Sequence, residues 1–205
     1  MTVKDRGRLD DHWSRKARLE GYPARSVWKL EEFDLKHNLI RPGMRVLDLG
    51  CAPGSWTLYA AEKVGPRGLV RGLDLDPPEG ASFPAWASVG RADIRLASPE
   101  LVRDQGPFDL VLSDMAPSTT GRREADQAGS LELCSLAWDW AGALLKKGGH
   151  FLFKIFQSSE GDAFVRSLAP FFERQVRLKP KATRSKSQEL FVLGTGFKGR
   201  EQSDD

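Results

Sequence analysis

A glycine-rich turn is the first group of residues in this sequence that could do chemistry. The segment LDLGCAPGSW, residues 47–56, is an apolar run that passes into a turn containing Gly50 and Gly54. Turns of this kind follow strands in nucleotide-binding folds, because glycine lets the backbone approach a ligand closely. The pyrophosphate-binding pattern GxGxxG is incomplete here, since its second glycine is missing and Pro53 has no N–H to donate. The turn therefore predicts a nucleoside ligand without a pyrophosphate.

Two acidic residues lie where the sugar and the base of such a nucleoside would bind. Asp74 falls at the end of the second apolar run, where a ribose-binding acid is expected, and Asp93 ends the third in the segment RADIR. Asp74 could accept hydrogen bonds from two ribose hydroxyls, and Asp93 from an adenine amino group. The alternative for each is a turn or helix-cap residue. S-adenosylmethionine has a ribose and an adenine but no phosphate, so it is the cofactor that this pattern predicts.

Three further polar residues could act on a substrate. Lys154 lies inside the apolar segment FLFKIF, where burial of a charge is costly, and its alternative is an edge-strand lysine that reaches water. Asp114 ends the fourth apolar run, and its alternative is a loop cap. Glu189 is the only acid in the basic stretch 174–200, and its alternative is a local ion pair. A lysine among carboxylates could orient a hydroxyl and accept its proton, although an ordinary lysine with a pKa of ~10.4 costs about 4.6 kcal/mol to deprotonate at pH 7.

The elements that would position these residues alternate between strand and helix from residue 45 onward. Strands are predicted over 45–50, 68–76, 87–94, 108–115, 150–156, 174–179 and 189–197. Helices are predicted over 23–40, 55–64, 98–104, 126–147 and 161–172. The pattern predicts an α/β fold with a mostly parallel seven-stranded sheet and helices on both faces. One strand is expected to be antiparallel, because no helix joins the last two.

Two of these helices carry more specific expectations. The helix over 23–40 is expected to cover an edge of the sheet. The helix over 126–147 is expected to end with Lys146 and Lys147, whose charges would complement its dipole, before Gly148 and Gly149 stop it.

Length and composition narrow the class of protein. The 205 residues suit one domain, contain no apolar run long enough to span a bilayer, and begin without the apolar core of a secretion signal. A cytoplasmic location is therefore expected, with no membrane partner. Cys51 and Cys134 form no CxxC pair and are expected to be reduced thiols, and three scattered histidines predict no metal site.

Charge is concentrated at the two ends of the chain, although the formal net charge is only +3. Basic patches attract polyanions, so RNA is a candidate partner, and an ordinary solvated surface is the alternative. Near the start, three aromatic residues are candidates for stacking on bases, and core packing is the alternative for Trp28. These residues, Trp13, Tyr22 and Trp28, interleave with Arg15, Lys16, Arg18 and Arg25. Near the end, the candidate phosphate contacts are Lys179, Lys181, Arg184 and Lys186.

The motifs LDLGCAPGSW, LDLDP, LSDMAP, FKIFQ and TRSKSQELFVLGTGF, taken in order, resemble the FtsJ/RrmJ family of RNA ribose 2′-O-methyltransferases. The resemblance covers nearly the whole chain and implies a Rossmann-like S-adenosylmethionine-dependent methyltransferase fold. It implies cofactor-binding residues at Gly54, Trp56, Asp74, Asp93 and Asp114. It implies a catalytic set of Lys29, Asp114, Lys154 and Glu189, in which Lys29 depends mainly on the resemblance because its helical position would otherwise indicate a solvent-facing side chain.

The resemblance also implies a substrate and a division of the chain. A uridine in the 23S RNA of the large ribosomal subunit is the expected target, with free ribosomal RNA or the large subunit as the partner and a monomeric enzyme. Residues 1–22 would be a basic N-terminal extension, 23–197 a single catalytic core and 198–205 a tail.

This chain departs from the family pattern at three positions. Ser55 replaces the second glycine of a Pro-Gly-Gly sequence, which is harmless if its backbone is helical. Gln188 replaces a common arginine before the catalytic glutamate, and Phe191 replaces a tyrosine two places after it. The last two departures are expected to alter how RNA is held.

Other functions remain open at this point. Methylation of a base amino group would require an Asp/Asn-Pro-Pro-aromatic sequence after the fourth strand, where this chain has SDMAPS. An NAD-dependent reductase is disfavoured by the missing glycine. A methyltransferase acting on another RNA such as tRNA, and a non-catalytic ribosome-assembly factor that binds RNA, are the remaining alternatives.

Overall fold

A seven-stranded sheet crosses the part of the chain that the structure describes. The computed structural model describes residues 12–78, 80–183 and 187–200. The strands are β1 Arg45–Leu49, β2 Leu69–Asp74, β3 Ala87–Arg91, β4 Phe108–Ser113, β5 Leu145–Phe156, β6 Phe172–Leu178 and β7 Glu189–Phe197. Their order is β3-β2-β1-β4-β5-β7-β6. Among these strands β7 runs in the direction opposite to the other six. The predicted α/β fold, mostly parallel with one antiparallel strand, is confirmed.

Helices cover both faces of this sheet. The helices are α1 His12–Leu19, α2 Val27–His37, α3 Ser55–Val64, α4 Arg123–Leu144 and α5 Ser159–Leu168, with short 3₁₀ helices at Pro99–Gln105 and Ala169–Phe171. Helices α1, α2 and α3 pack on one face, called here the α2 face, and α4 and α5 pack on the other, called the α4 face. Both faces are covered, which explains why the central strands are nearly continuous apolar runs. None of the helices in these described ranges is long and apolar enough to cross a membrane.

The alternation of side chains along β5 decides where its lysine lies. Phe151, Phe153 and Ile155 belong to the core of the α4 face, and Leu152 belongs to the core of the α2 face. Successive side chains of a strand point to opposite faces, so Lys154 projects toward α2 together with Leu152. The only charged residue in this apolar run is therefore directed at one helix.

The end of the long helix differs from the prediction. Helix α4 ends at Leu144, and Lys146 and Lys147 lie in β5 rather than in the last helical turn. The register with β4 shifts there, because Phe108 pairs with Leu145 and Leu110 pairs with His150. The irregularity begins the strand early, and Lys146 forms an ion pair with Asp109 instead of complementing a helix dipole.

The position of α2 also differs from the prediction. This helix lies on a face of the sheet and does not cover an edge, because its apolar side is needed to bury the strands beneath it. Leu30 and Phe33 are fully buried with Leu110 and Leu152, and the Phe33 ring centroid is 6.1 Å from that of Phe191 in β7. The edges of the sheet are β3 and β6.

Asp34 fixes α2 to its surroundings. Its buried carboxylate accepts hydrogen bonds from the Ile40 N–H at 2.8 Å and from the Tyr59 hydroxyl of α3 at 2.9 Å. Asn38, which ends α2, adopts a left-handed conformation that turns the chain back toward this carboxylate. One side chain thus joins the end of α2, the chain that follows it and α3.

We expect Asp34→Ala to lower the free energy of unfolding by about 3 kcal/mol, because it leaves two buried donors without acceptors. Asp34→Asn keeps one carbonyl acceptor and should cost less. Leu35→Ala is the matched control, because the neighbouring Leu35 is 75% exposed and its loss should be nearly neutral. Chemical denaturation of the three variants measures the difference. Equal midpoints for Asp34→Ala and Leu35→Ala would contradict the role given to Asp34.

Candidate active site

A cavity of about 370 Å³ opens at the carboxyl ends of the parallel strands. Its lining includes Gly50 after β1, Asp74 at the end of β2, Asp93 after β3 and Asp114 after β4. Ligands of open α/β sheets bind at this edge, and the volume is within the range of small-molecule sites. The structure thus brings four of the residues singled out from sequence around one cavity.

The glycine-rich turn requires its glycines. Gly50 has a φ of +77°, and a Cβ there would overlap the side chain of Met115 in the cavity wall. Gly54 has a φ of +101°, and a Cβ there would lie 3.0 Å from the Phe83 ring. Any other residue would be strained at these φ values and would meet these side chains, so the turn requires glycine at both positions.

Asp74 and Asp93 present carboxylate oxygens to the cavity. Asp74 is held by the N–H groups of Ala52 and Asp76, each at 2.9 Å from one of its oxygens. Asp93 accepts one hydrogen bond, from the Arg95 N–H at 3.0 Å to Oδ1. Each oxygen has a second lone pair, so both carboxylates keep capacity for a ligand's hydroxyl or amino groups. These residues fit an adenosine group, with Asp74 beside the turn and Asp93 further along the cavity.

Gly54 and Trp56 do not line this cavity. The Trp56 side chain is 3% exposed, its Nε1 donates to the Ser26 carbonyl oxygen at 2.8 Å, and its ring packs against Phe191. The tryptophan ring therefore belongs to the core of the α2 face. Its main-chain N–H lies in the first turn of α3, where amides lack intrahelical acceptors, and only that group could serve a ligand.

Lys154 is paired with Asp114 at the inner end of the site. Its Nζ donates to the main-chain carbonyl of Asp114 at 2.6 Å and lies 2.8 Å from Asp114 Oδ1. The second contact is an ion pair without hydrogen-bond geometry, so Oδ1 is buried and accepts no directed hydrogen bond from the described residues. The amine is held in place while a carboxylate oxygen beside it keeps its accepting capacity.

Lys29 forms a second pair, with Glu189. Lys29 on α2 is only 7% exposed, and its Nζ lies 2.9 Å from Glu189 Oε2 at the start of β7. Phe191 links the two pairs, because it is the register partner of Lys154 and its ring centroid is 5.2 Å from Lys29 Nζ. The four residues of the expected catalytic set are therefore neighbours. The helical position of Lys29 would by itself indicate a solvent-facing side chain. Lys29 is buried because α2 lies on the face of the sheet.

Two departures from the family pattern act on the interior. Phe191 is fully buried between α2 and β5, so it cannot contact RNA, and the expectation that it alters RNA binding is wrong. Ser55 is the first residue of α3 and has no positive φ, so it is conformationally harmless as expected. Its hydroxyl also accepts a hydrogen bond from the Ala24 N–H at 2.8 Å, which ties α3 to the segment before α2.

Gln188 joins three elements beside the catalytic set. Its side-chain oxygen accepts from Gln127 Nε2 of α4 at 3.2 Å, and its carbonyl oxygen accepts from the Gln157 N–H at 3.0 Å. Gln127 also donates to the Gln157 carbonyl at 2.6 Å. These bonds hold the residue before Glu189 in position, with neutral amides where the family commonly has a charge.

Two of the three aromatic residues near the start of the chain are buried, contrary to the prediction that they stack on bases. Tyr22 and Trp28 are 8% and 3% exposed and pack in the core of the α2 face, so neither can stack on a base. Trp13 on α1 is partly buried against that core, and its carbonyl oxygen accepts from Trp28 Nε1 at 2.9 Å. Lys16 lies over the Trp28 ring at 3.6 Å, where it covers the aromatic face. Core packing is the reason for Tyr22 and Trp28, while Trp13 keeps part of its surface exposed and stays a candidate for stacking.

The other predicted features are resolved in part. Lys179 donates to the Ser187 carbonyl oxygen at 2.7 Å, while Arg184 and Lys186 lie outside the described residues. Both cysteines are free and buried, and burial raises the pKa of the Cys134 thiol to about 12. No cluster of metal-ligating side chains occurs within the residues that the structure describes.

Comparison with known proteins identifies the class of enzyme. A model of the FtsJ-like methyltransferase family matches residues 22–197. The chain belongs to the FtsJ-like methyltransferase family. Two relatives carry the name Ribosomal RNA large subunit methyltransferase E. The one from Oleidesulfovibrio alaskensis is 46% identical over 92% of this chain and 92% of its own, and the one from Desulfosudis oleivorans is 48% identical over 90% and 89%.

A solved structure has the same fold as this FtsJ-like methyltransferase. The crystal structure of a ribosomal RNA methyltransferase from Plasmodium falciparum superposes with a TM-score of 0.75. The alignment covers 87% of this chain and 100% of that one, at 22% identity, so it bears on the fold alone.

Asp48 is a residue of this FtsJ-like methyltransferase that sequence reasoning missed. It is 1% exposed on β1, where its Oδ2 accepts from the Thr57 hydroxyl at 2.7 Å and its Oδ1 has no partner among the described residues. Burial raises the pKa of the Asp48 carboxyl to about 7, Asp114 and Asp74 add to the rise, and the Thr57 hydrogen bond opposes it. The sequence did offer a signal for a buried carboxyl group here, because Asp48 lies between two leucines in an apolar strand.

We expect Asp48 to make stability fall as pH rises. Its pKa is about 7 in the folded chain and about 4 in an unfolded one. The folded state therefore binds more protons between these values, and the free energy of unfolding decreases from pH 4 to pH 7 by up to about 4 kcal/mol. Asp48→Asn keeps an acceptor for Thr57 and removes the titration. The unfolding free energy of the wild-type protein should fall relative to that of Asp48→Asn as pH rises from 4 to 7. If the two curves run parallel, Asp48 is ionised throughout this range.

Proposed function

We propose that this enzyme transfers a methyl group from S-adenosylmethionine to a ribose 2′-hydroxyl, of a uridine, in the 23S RNA of the large ribosomal subunit. The observation that carries the proposal is the pair of buried lysine–carboxylate contacts, Lys154 with Asp114 and Lys29 with Glu189, beside a cavity of nucleoside size. A hydroxyl is a poor nucleophile until it is oriented and loses its proton, and this is the group of residues that can do both.

The cavity at the carboxyl ends of β1 to β4 would hold the cofactor. Asp74 would bind the ribose hydroxyls, Asp93 the adenine amino group, and the backbone around Gly54 and Trp56 the amino-acid end. When bound, S-adenosylmethionine supplies an electrophilic methyl group on a sulfonium. The three carboxylates that line the cavity, Asp74, Asp93 and Asp114, favour a ligand that carries positive charge.

Lys154 orients the acceptor hydroxyl and takes its proton. Its amine is fixed by two contacts to Asp114, at 2.6 Å and 2.8 Å, and Asp114 lines the cavity, so the amine lies beside it. On transfer the methyl–sulfur bond would break and leave a neutral thioether, while the hydroxyl proton would pass to an unprotonated Lys154 amine. Lys29 and Glu189 form a second buried ion pair on the α2 side of Lys154, with Phe191 between the two pairs.

The substrate class rests on the relatives and on the charge of the surface. The two named relatives share nearly half their residues with this chain over most of its length, which supports the same ribosomal substrate. RNA is held by phosphate contacts outside the cavity, and only the target ribose reaches Lys154. The enzyme acts as a monomer in the cytoplasm, where the large subunit is assembled.

The function is tested with 23S RNA that lacks this modification. The purified enzyme and a labelled methyl donor should label the RNA, and the label should map to one ribose 2′-oxygen. The same reaction with tRNA is the control for substrate class. Label on a base nitrogen, or on tRNA in preference to 23S RNA, would refute the proposal.

Two substitutions at Lys154 separate proton transfer from positioning. Lys154→Ala should lower turnover by a hundredfold to ten-thousandfold or more, because a general base typically contributes about that much. Lys154→Arg keeps a cation but cannot accept a proton at neutral pH, so it should be nearly as inactive. Single-turnover methylation with saturating RNA measures both, and cofactor binding should be unchanged in each. Near wild-type activity of Lys154→Arg would assign Lys154 a positioning role and leave Asp114 Oδ1 as the proton acceptor.

Asp74→Ala should weaken binding of the methyl donor, because the ribose loses its acceptors and the turn loses the bond to the Ala52 N–H. Removing hydrogen bonds to a charged group costs about 1.5–3 kcal/mol each, so the Kd should rise at least tenfold. Asp76→Ala is the matched control, because Asp76 lies two residues further on and is exposed, outside the cavity lining. Calorimetry measures both affinities. Binding of NADH in place of the methyl donor would overturn the choice of cofactor.

A further inference from the structure

A second cavity lies at the opposite end of the sheet from the active site. Its volume is about 300 Å³, and its lining is rich in basic residues. Three neighbouring strands form its floor, because Thr195 of β7 is the register partner of both His150 of β5 and Arg174 of β6. His37, the last residue of α2, and Arg41, which follows it, complete the wall.

The site is separate from the methyl-transfer site. His150 lies four residues before Lys154 on β5, which corresponds to about 13 Å along the strand. Thr195 lies six residues after Glu189 on β7, about 20 Å away. The two cavities share no lining residue. A ligand in one would therefore not occupy the other.

The two arginines have uncommitted charge. The Arg174 side chain is exposed, and its guanidinium donates no hydrogen bond and forms no ion pair with any residue in the described ranges. Arg41 is also exposed, and its guanidinium donates one hydrogen bond within those ranges, from Nε to the Asn38 carbonyl oxygen at 3.3 Å. The acidic residue of the lining is Glu173, which leaves the cavity with an excess of positive charge. Two guanidinium groups with free donors are suited to an oxyanion.

His37 supplies a buried polar atom that lacks a partner. Its Nε2 is buried and has no hydrogen-bond partner among the described residues. Burial lowers the pKa of its imidazole, and the charges of Lys36 and Arg174 lower it further. A buried ring nitrogen without a partner is unfavourable, and a rotation of the ring would be needed to bring it to a ligand oxygen in the cavity.

His150 supplies a second donor. Its Nδ1 accepts a bond from the Gly196 N–H at 3.4 Å, so the proton of the neutral ring is on Nε2. Burial lowers the pKa of His150, Arg41 and Lys146 lower it too, and Asp109 and the Gly149 main chain raise it. Both rings are surrounded by net positive charge that a bound anion would offset.

We propose that this cavity, formed by His37, Arg41, His150 and Arg174, binds a phosphate group. The arginines would bind two of its oxygens, and His150 Nε2 would donate to it. A tetrahedral oxyanion has more acceptor oxygens than a carboxylate, which suits a cavity lined by two arginines and two histidines. The phosphate could belong to RNA or to a small molecule, and the recognition chemistry is the same for both.

The three histidines of the chain allow a direct test with inorganic phosphate. Two of them, His37 and His150, line the cavity, while His12 lies exposed on α1 and serves as an internal control. Imidazole NMR signals are followed against pH with and without phosphate at constant ionic strength. Phosphate should raise the pKa of His37 and His150 and leave that of His12 unchanged. Equal responses of all three histidines would overturn the proposal.

Arg174→Gln should weaken phosphate binding about tenfold or more, because it removes a charge-assisted hydrogen bond. Arg166→Gln is the matched control, since Arg166 is an exposed arginine on α5, away from the cavity. Chemical denaturation verifies that each variant is folded. The same phosphate affinity in both variants would contradict the site.

RNA distinguishes the two sources of phosphate. If the ligand is an RNA phosphodiester, Arg174→Gln should reduce the slope of log affinity against log salt by about 0.7–0.9 relative to Arg166→Gln. If the wild-type protein binds phosphate and Arg174→Gln leaves the RNA slope unchanged, the site is assigned to a small phosphorylated molecule. Only this RNA experiment depends on the proposed function. The phosphate titration does not depend on it. If the wild-type enzyme fails to methylate RNA, the proposed function is refuted and the proposal of a phosphate site still stands on the titration.

Discussion

Burial of two lysine amines is the constraint on which the rest of this structure depends. Lys29 and Lys154 are 7% and 5% exposed, and taking such a cation out of water costs several kcal/mol unless a carboxylate lies beside it. Each carboxylate comes from a different element. Asp114 follows β4, next to β5 in the sheet, and Glu189 begins β7. The reversed direction of β7 is essential here, because an antiparallel strand begins at the edge where β5 ends. A parallel β7 would place Glu189 at the far end of the sheet and leave Lys29 without its partner.

The same constraint explains why α2 and α3 behave as one unit. Four hydrogen bonds join these helices or the segments that precede and follow α2. They are Tyr59 to Asp34, Ile40 to Asp34, Ala24 to Ser55, and Trp56 to Ser26. Helix α3 begins at the glycine-rich turn, and α2 carries Lys29. The glycine-rich turn beside the cavity is therefore tied to the helix that carries Lys29, the lysine paired with Glu189. Positioning of two reactants requires this kind of coupling, because a small displacement of either lowers the rate.

How far the sequence predicts this molecule depends on the local pattern. The strands and the residues at their carboxyl ends could be predicted, because a buried strand is a continuous apolar run and Asp74 and Asp114 follow such runs. The burial of Tyr22 and Trp28 could not, since an aromatic residue among basic ones has the same pattern in a core as on an RNA-binding surface. The burial of Lys29 depends on where α2 lies, which is a property of tertiary packing. The early start of β5 depends on a register shift against β4, and no local propensity encodes it.

The distribution of charge over the two ends of the sheet limits how a polyanion can approach. Three carboxylates, Asp74, Asp93 and Asp114, line the cavity at the carboxyl edge. Arg95 in the same lining lies 4.0 Å from Asp93 Oδ1, and Lys154 pairs with Asp114, so the cavity keeps a small excess of negative charge. This charge favours a cationic methyl donor over a phosphate. A ribose hydroxyl carries no charge and can enter where its own phosphates are disfavoured. The phosphates of the substrate are then better held on surfaces away from the cavity, so charge helps the site to distinguish the reacting group from the backbone that carries it.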